Sequence, residues 1–179
     1  MFIVTAFFGF QIGRSDEVAV STLLDFGALY RPYIGAGEPW RLLTYMFLHV
    51  GISHLVNNML ILYFMGNYLE RSVGHVRFFA VYILSGVIAG LGSIMYNTNM
   101  AVGVGASGAI FGVFGAVFSL VLTRHGRGIT MRQMLIFLGL TVYSGFSTQG
   151  VDNVAHLTGL LAGAGIGTIL TVFESNAEE

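Results

Sequence analysis

Residues 105–123 read GASGAIFGVFGAVFSLVLT, an uncharged run that opens on glycine, alanine and serine. From Ser107 to Thr123 it approaches the ~20 apolar residues that cross a hydrocarbon core. Similar segments lie at about 53–69, 78–96, 130–147 and 153–173. Five of them in one chain predict an all-α, polytopic membrane protein. Composition agrees: 55% of the 179 residues are apolar and only 9% charged. A soluble domain carries about a quarter of its residues as Asp, Glu, Lys or Arg. Nine acidic and eight basic residues, every basic one an arginine, cannot coat a globular surface. The 25 glycines would each cost about 1 kcal/mol inside a soluble helix; between membrane helices they let backbones touch.

Net charge is −1 with no basic run, which argues against nucleic acid as a partner. Cysteine is absent, so disulfides, thiolate metal sites and cysteine nucleophiles are excluded. The run Met1–Ile12 is too short to cross a bilayer and lacks the basic start and cleavage site of a signal peptide. Residues 1–13 are expected to be part of a first helix whose beginning lies outside this sequence, with a short interfacial helix as the alternative. Residues 14–52 are expected to form an outer loop, 53–173 five membrane helices and 174–179 a cytoplasmic tail, all within one domain. The loop reads as a solvated connection, in which Trp40 and Tyr45 are suited to headgroup depth.

Arginines set the orientation. Arg71 and Arg77 flank one short loop and Arg124, Arg127 and Arg132 crowd another, whereas 97–104 and 148–152 have none. The positive-inside rule puts 70–77 and 124–132 in the cytoplasm. Helices starting near 53, 107 and 153 then all begin on the outer side and run parallel. Ser107 opens one, His156 lies about a turn into the next, and His54 and Asn58 share one face of the third. Asn57 points about 100° away. His156, Gly159 and Gly163 form a stripe, as do Gly108, Gly112, Gly115 and Ser119. Two glycine faces in contact would let a histidine reach a neighbouring serine. Gly86 and Gly90 make a further packing pair.

Each residue also has a plain structural reading: a membrane serine usually bonds its own backbone, and glycine stripes usually pack. The coincidence of depth carries the chemistry. A serine hydroxyl needs a base to take its proton, and His156 is the candidate. Asp152 is expected to cap the helix, leaving a Ser–His dyad rather than a triad. Phe111 offers a ring to orient the imidazole. The Ser107 N–H at a helix N-terminus, with His54 and Asn58, supplies donors for an oxyanion. Gly103 and Gly105 permit a sharp bend before the helix. The sequence around Ser107 is not the Gly-x-Ser-x-Gly elbow of soluble hydrolases. No His-Glu-x-x-His pattern is present and no metal or other cofactor is expected. His75 and His125 read as bystanders in cytoplasmic loops. Two consequences are expected: activity falls in acid as His156 protonates, and Gly159→Leu abolishes it without unfolding the bundle.

Taken together, Trp40-Arg41, His54-x-x-x-Asn58, Gly105-Ala106-Ser107-Gly108 and Ala155-His156-x-x-Gly159-x-x-x-Gly163 resemble the rhomboid family of intramembrane serine proteases. His49 is similar to a loop histidine of that family that holds the first loop, and Glu70-Arg71 with Gly74 to its usual end of the second helix. The resemblance covers about residues 40–170. It implies a bacterial-type six-helix bundle, here with its first helix truncated, that cleaves single-span membrane proteins at or near the outer surface of the bacterial cell (inner) membrane. By position it makes Ser107 the nucleophile and His156 the general base. His54, Asn58 and the Ser107 amide become the oxyanion hole. Phe111 stands where bacterial relatives often carry tyrosine, keeping the ring but not the hydroxyl. The competing readings are a non-catalytic rhomboid-like protein that binds membrane clients, and a channel or transporter. The latter would call for deeper ionisable residues or paired broken helices.

Overall fold

A computed structural model describes residues 19–97, 102–123, 128–147 and 150–177, with side chains except over 144–147 and 173–177. The expected first helix at 1–13 lies outside the described residues. Among the described residues three short helices come first: α1 (Val20–Asp25), α2 (Arg31–Gly35) and α3 (Arg41–Thr44), the last running into a 3-10 turn, Tyr45–Phe47. Then come α4 (Ile52–Ile61), a π-helical turn at Leu62–Gly66, and α5 (Asn67–Val73), which continue one another. Gly74, at φ +84, ends that rod in a conformation that L side chains rarely adopt. The long helices are α6 (His75–Tyr96), α7 (Ser107–Leu122), α8 (Met131–Ser147) and α9 (Asn153–Ala177). α9 therefore continues past Phe173 into the segment expected to be tail.

By length and composition α6 and α9 each suffice to cross a membrane, while Arg41–Phe47 and Ile52–Val73 pass the same test only together and are bent by 95° where they meet. α7 is shorter, about 24 Å at 1.5 Å per residue. A helix of that length does not fill a ~30 Å hydrocarbon layer, and the expected outer segment, described over residues 19–52, packs against its first turn.

α6, α7 and α9 form the centre. A Cβ on Gly159 would fall on the Gly108 carbonyl, one on Gly163 on the Gly112 carbonyl, and one on Gly167 2.7 Å from Ala116 Cα. Each step of four along α7 is matched by a step of four along α9, so the two are parallel. α6 runs the other way: Ala89 faces Gly108 while Ser85 faces Gly112. Polar cross-links run along the same seam, where Ser119 Oγ donates to Ala164 O at 2.8 Å and Thr168 Oγ1 to Ser119 Oγ at 3.2 Å. Without a hydrophobic force between helices in lipid, backbone proximity and such bonds hold the bundle. The outward faces carry exposed Leu, Ile and Phe, as at Leu84, Leu157 and Leu161.

The solvated-loop reading of residues 14–52 does not hold over its described part. Leu23, Ala28 and Leu48 form a small core of their own, and Arg41 is 5% exposed. Arg41 Nη1 donates to Leu24 O (2.7 Å) and Ala28 O (3.1 Å), its Nε to Glu38 (2.6 Å), and its guanidinium lies over the Tyr33 and Trp40 rings. A buried guanidinium is stable only with such partners. Tyr45 is no headgroup anchor: it is 4% exposed, and its hydroxyl donates to Gly86 O at 2.6 Å. Trp40 stays exposed, packing one edge over Gly27. Gly86 and Gly90 are packing positions, but what they admit is this outer segment, through Met46 and the Tyr45 ring.

Candidate active site

Ser107 is the first residue of α7, and the strand leading to it is held from two sides. Leu29 and Gly103 exchange both backbone bonds (2.9 and 2.8 Å), and the Gly105 N–H donates to Tyr45 O at 3.0 Å. Gly105 has φ +121, and a Cβ there would lie 2.8 Å from His54 Cε1. Only glycine satisfies both constraints. Its bare Cα leaves room between the His54 ring and Ser107 Oγ, which is 3.9 Å from that Cβ position.

His156 is 8% exposed on α9, three residues before Gly159. The Gly108–Gly159 contact brings its Nε2 to 2.8 Å from Ser107 Oγ. That bond links groups 49 residues apart, at the separation a general base needs. The Phe111 ring, one turn beyond Ser107, stacks on the imidazole at 4.2 Å between centroids and 14° between planes. It fixes the ring plane by contact with its face. Gly108 has a second neighbour: a Cβ there would lie 2.7 Å from Ala89 Cβ and 3.4 Å from the Tyr45 hydroxyl. Asp152 Oδ1 accepts the Ala155 N–H at 2.9 Å, the cap expected of it.

His54 and Asn58 share the face of α4 turned to the bundle; Asn58 is buried and Asn57 exposed. The Asn58 amide donates to His54 O at 2.9 Å, so one of its two N–H groups is used within its own helix. Behind them His49 is 1% exposed, its ring edge-on to His54 at 4.9 Å. Burial and the neighbouring imidazole push His49 down to about 3. It remains neutral and packs as a core residue of the outer segment. His75 is an exposed partner of Glu70 (2.6 Å), while His125 lies outside the described residues.

The structure thus brings Ser107, His156 and Phe111 into direct contact, with Gly105 and His54 beside them and Gly108, Gly159 and Gly163 as the seam beneath. Arg41, Trp40 and His49 belong to the outer segment. Sequence reasoning missed Tyr45, whose carbonyl holds Gly105 and whose hydroxyl reaches α6. No periodicity marks such a residue in a segment of short, irregular helices.

The rhomboid domain family matches residues 36–173, which takes in every one of these residues. The chain belongs to the rhomboid family. It is similar to the rhomboid protease GluP of Bacillus subtilis (strain 168), 36% identical over 164 residues, which cover 89% of this chain and 31% of GluP. Likeness extends to plants: RHOMBOID-like protein 5 of Arabidopsis thaliana is 36% identical over 85% of this chain and 50% of its own length. RHOMBOID-like protein 7 is 34% identical over 92% and 55%. The chain thus spans about a third to a half of these relatives. As a rhomboid it is a multi-pass membrane protein.

Proposed function

We propose that this rhomboid is an intramembrane serine endopeptidase that cuts single-span membrane proteins near the outer membrane surface with a Ser107–His156 dyad. The observation that carries the reading is the 2.8 Å bond between Ser107 Oγ and His156 Nε2. In this reaction Oγ attacks the scissile carbonyl carbon while Nε2 accepts the hydroxyl proton. The imidazolium then gives that proton to the leaving amine as the C–N bond breaks. Water, deprotonated by the same Nε2, attacks the acyl-enzyme and frees Ser107. The transient oxyanion would be met by the Ser107 amide at the N-terminus of α7, the His54 ring and the free N–H of Asn58, donors of a kind worth about 2.7–4 kcal/mol each.

Depth supports the substrate class. A short α7 under a folded outer segment offers a recessed serine to chains that arrive within the bilayer and unwind near its edge. The arginine pattern supports an outward-facing site, with 70–77 and 124–132 inside. Cleavage of a model single-span substrate by detergent-purified protein, with Ser107→Ala beside it, tests the reading. Cutting by wild type alone is expected. Equal cutting by both would mean a contaminating protease, and none by either would favour a rhomboid that binds membrane clients without cleaving them.

A further inference from the structure

A carboxylate sits one turn before the base. Asp152 precedes α9, and its backbone oxygen accepts the His156 N–H at 3.1 Å. Its Oδ1 accepts the Ala155 N–H at 2.9 Å, and its Oδ2 accepts the hydroxyl of Ser93 on α6. Ser93 is buried, and its neighbour Gly92 lies against Thr158 of α9, where a Cβ would fall 2.5 Å from Thr158 Oγ1. The same end of α6 is held by Arg31, whose Nη2 donates to Ile94 O and, at 2.6 Å, to Asn97 O. Two helices therefore fix this carboxylate, which cannot swing out to the surface without breaking both bonds.

A cap uses one oxygen, and Ser or Asn serves nearly as well as Asp. What capping leaves unexplained is the second oxygen, a carboxylate atom held across the helix interface one turn before His156. Among the described residues, the other ionisable groups about the dyad are His54 of α4, His49 behind it, Tyr45 of the 3-10 turn and Tyr82 of α6. None is anionic at neutral pH. We infer that Asp152, latched by Ser93, is a positioning residue for His156: it fixes the height of the imidazole beside Ser107 and stabilises the imidazolium formed as Oγ attacks. It touches neither substrate nor imidazole and takes no proton. The inference rests on the serine-protease reading, and it gives the two-member dyad an anionic support from its own helix.

The test is kcat and KM for a single-span substrate from pH 5 to 9, with thermal unfolding in parallel, for wild type, Ser107→Ala, Asp152→Asn, Ser93→Ala and the Ser93→Ala/Asp152→Asn double variant. Asp152→Asn keeps the cap and the Ser93 bond but removes the charge. Its unfolding temperature and KM should match wild type. Its kcat should fall roughly tenfold, and the midpoint of the acid limb should move to lower pH by about half to one unit. Ser93→Ala should move both the same way by less, and add nothing in the double variant, as expected of residues acting through one contact. A wild-type kcat and midpoint in Asp152→Asn overturns the inference, as do additive effects in the double variant. Cleavage surviving in Ser107→Ala would instead overturn the protease reading beneath it.

Discussion

Gly159→Ala adds one methyl group at the point of the α7–α9 seam nearest the dyad. Its Cβ would lie 3.0 Å from the Gly108 carbonyl carbon and closer still to the oxygen. Non-bonded carbons rest at about 3.5–4.0 Å, and a backbone carbonyl cannot rotate away as a side chain can, so the helices must part by roughly 1 Å. Ser107 adjoins Gly108, and His156 lies one turn before Gly159, so the dyad takes up nearly all of that movement. The 2.8 Å Oγ–Nε2 bond then opens to about 3.8 Å, beyond hydrogen-bonding range. A 1 Å misplacement of reacting groups costs on the order of 100-fold in rate, about 2.7 kcal/mol of barrier. Gain in helix propensity, up to about 1 kcal/mol, offsets part of the lost packing, so the bundle should persist. Gly165→Ala is the control, on the same helix with nothing within 4 Å of the new Cβ. The assay is kcat/KM on a single-span substrate with thermal unfolding measured beside it. Gly159→Ala should lose about two orders of magnitude, Gly159→Leu all measurable cleavage, and Gly165→Ala nothing. Wild-type kcat/KM in Gly159→Ala would refute the argument that the seam sets the dyad distance. A loss of activity no greater than the loss of folded protein would refute it equally.

Removing a donor from the oxyanion side, as in His54→Ala or Asn58→Ala, should lower kcat by about 10²–10³ with little change in KM; equal falls in kcat and 1/KM would exclude that role. Arg41→Ala leaves Leu24 O and Ala28 O without their buried donor and should destabilise the protein by roughly 2–4 kcal/mol, read as a lowered thermal midpoint. An unchanged midpoint would mean that the outer segment folds without it. His49 sits near 3 in the folded protein against an ordinary value of 6.5. Below about pH 6.5 the unfolded chain takes up a proton that the folded chain refuses, so stability falls by about 1.4 kcal/mol per pH unit from this group alone. His49→Phe should remove that increment from the pH dependence of unfolding, and an identical dependence in both proteins would disprove it. Cleavage itself should decline in acid as His156 is protonated and can no longer accept the Ser107 proton; a profile that stays flat down to the onset of acid unfolding counts against a histidine base.

What the sequence made legible was whatever follows from periodicity and depth. The glycine stripes on α7 and α9 could be read at i, i+4 spacing, and topology made the two helices parallel, so the Ser107–His156 meeting followed. The Phe111 stack followed from its place one turn beyond Ser107. Elsewhere the stabilising contacts join a side chain to a distant backbone carbonyl, and no residue type announces those. Arg41 on Leu24 O, Tyr45 on Gly86 O and the Leu29–Gly103 pairing are of this kind, which is why a folded outer segment read as a solvated loop. Asp152 could be recognised as a cap because capping is local. Its bond to Ser93 depends on the register of α6 against α9, which two apolar helices with glycines on several faces leave open.

The order in which the seam is written along the chain has a consequence for biogenesis. Ser107 leaves the ribosome 49 residues ahead of His156, with α8 between them. At ~5–20 residues per second that is an interval of about 2–10 s. During it the nucleophile exists without its base, and the surface that will hold α9 faces whatever else is in the membrane. Both the proposed dyad and the Gly108–Gly159 contact need α9, so they arrive together. On the proposed function, a chain interrupted before α9 is inserted has Ser107 without His156 and should not cleave.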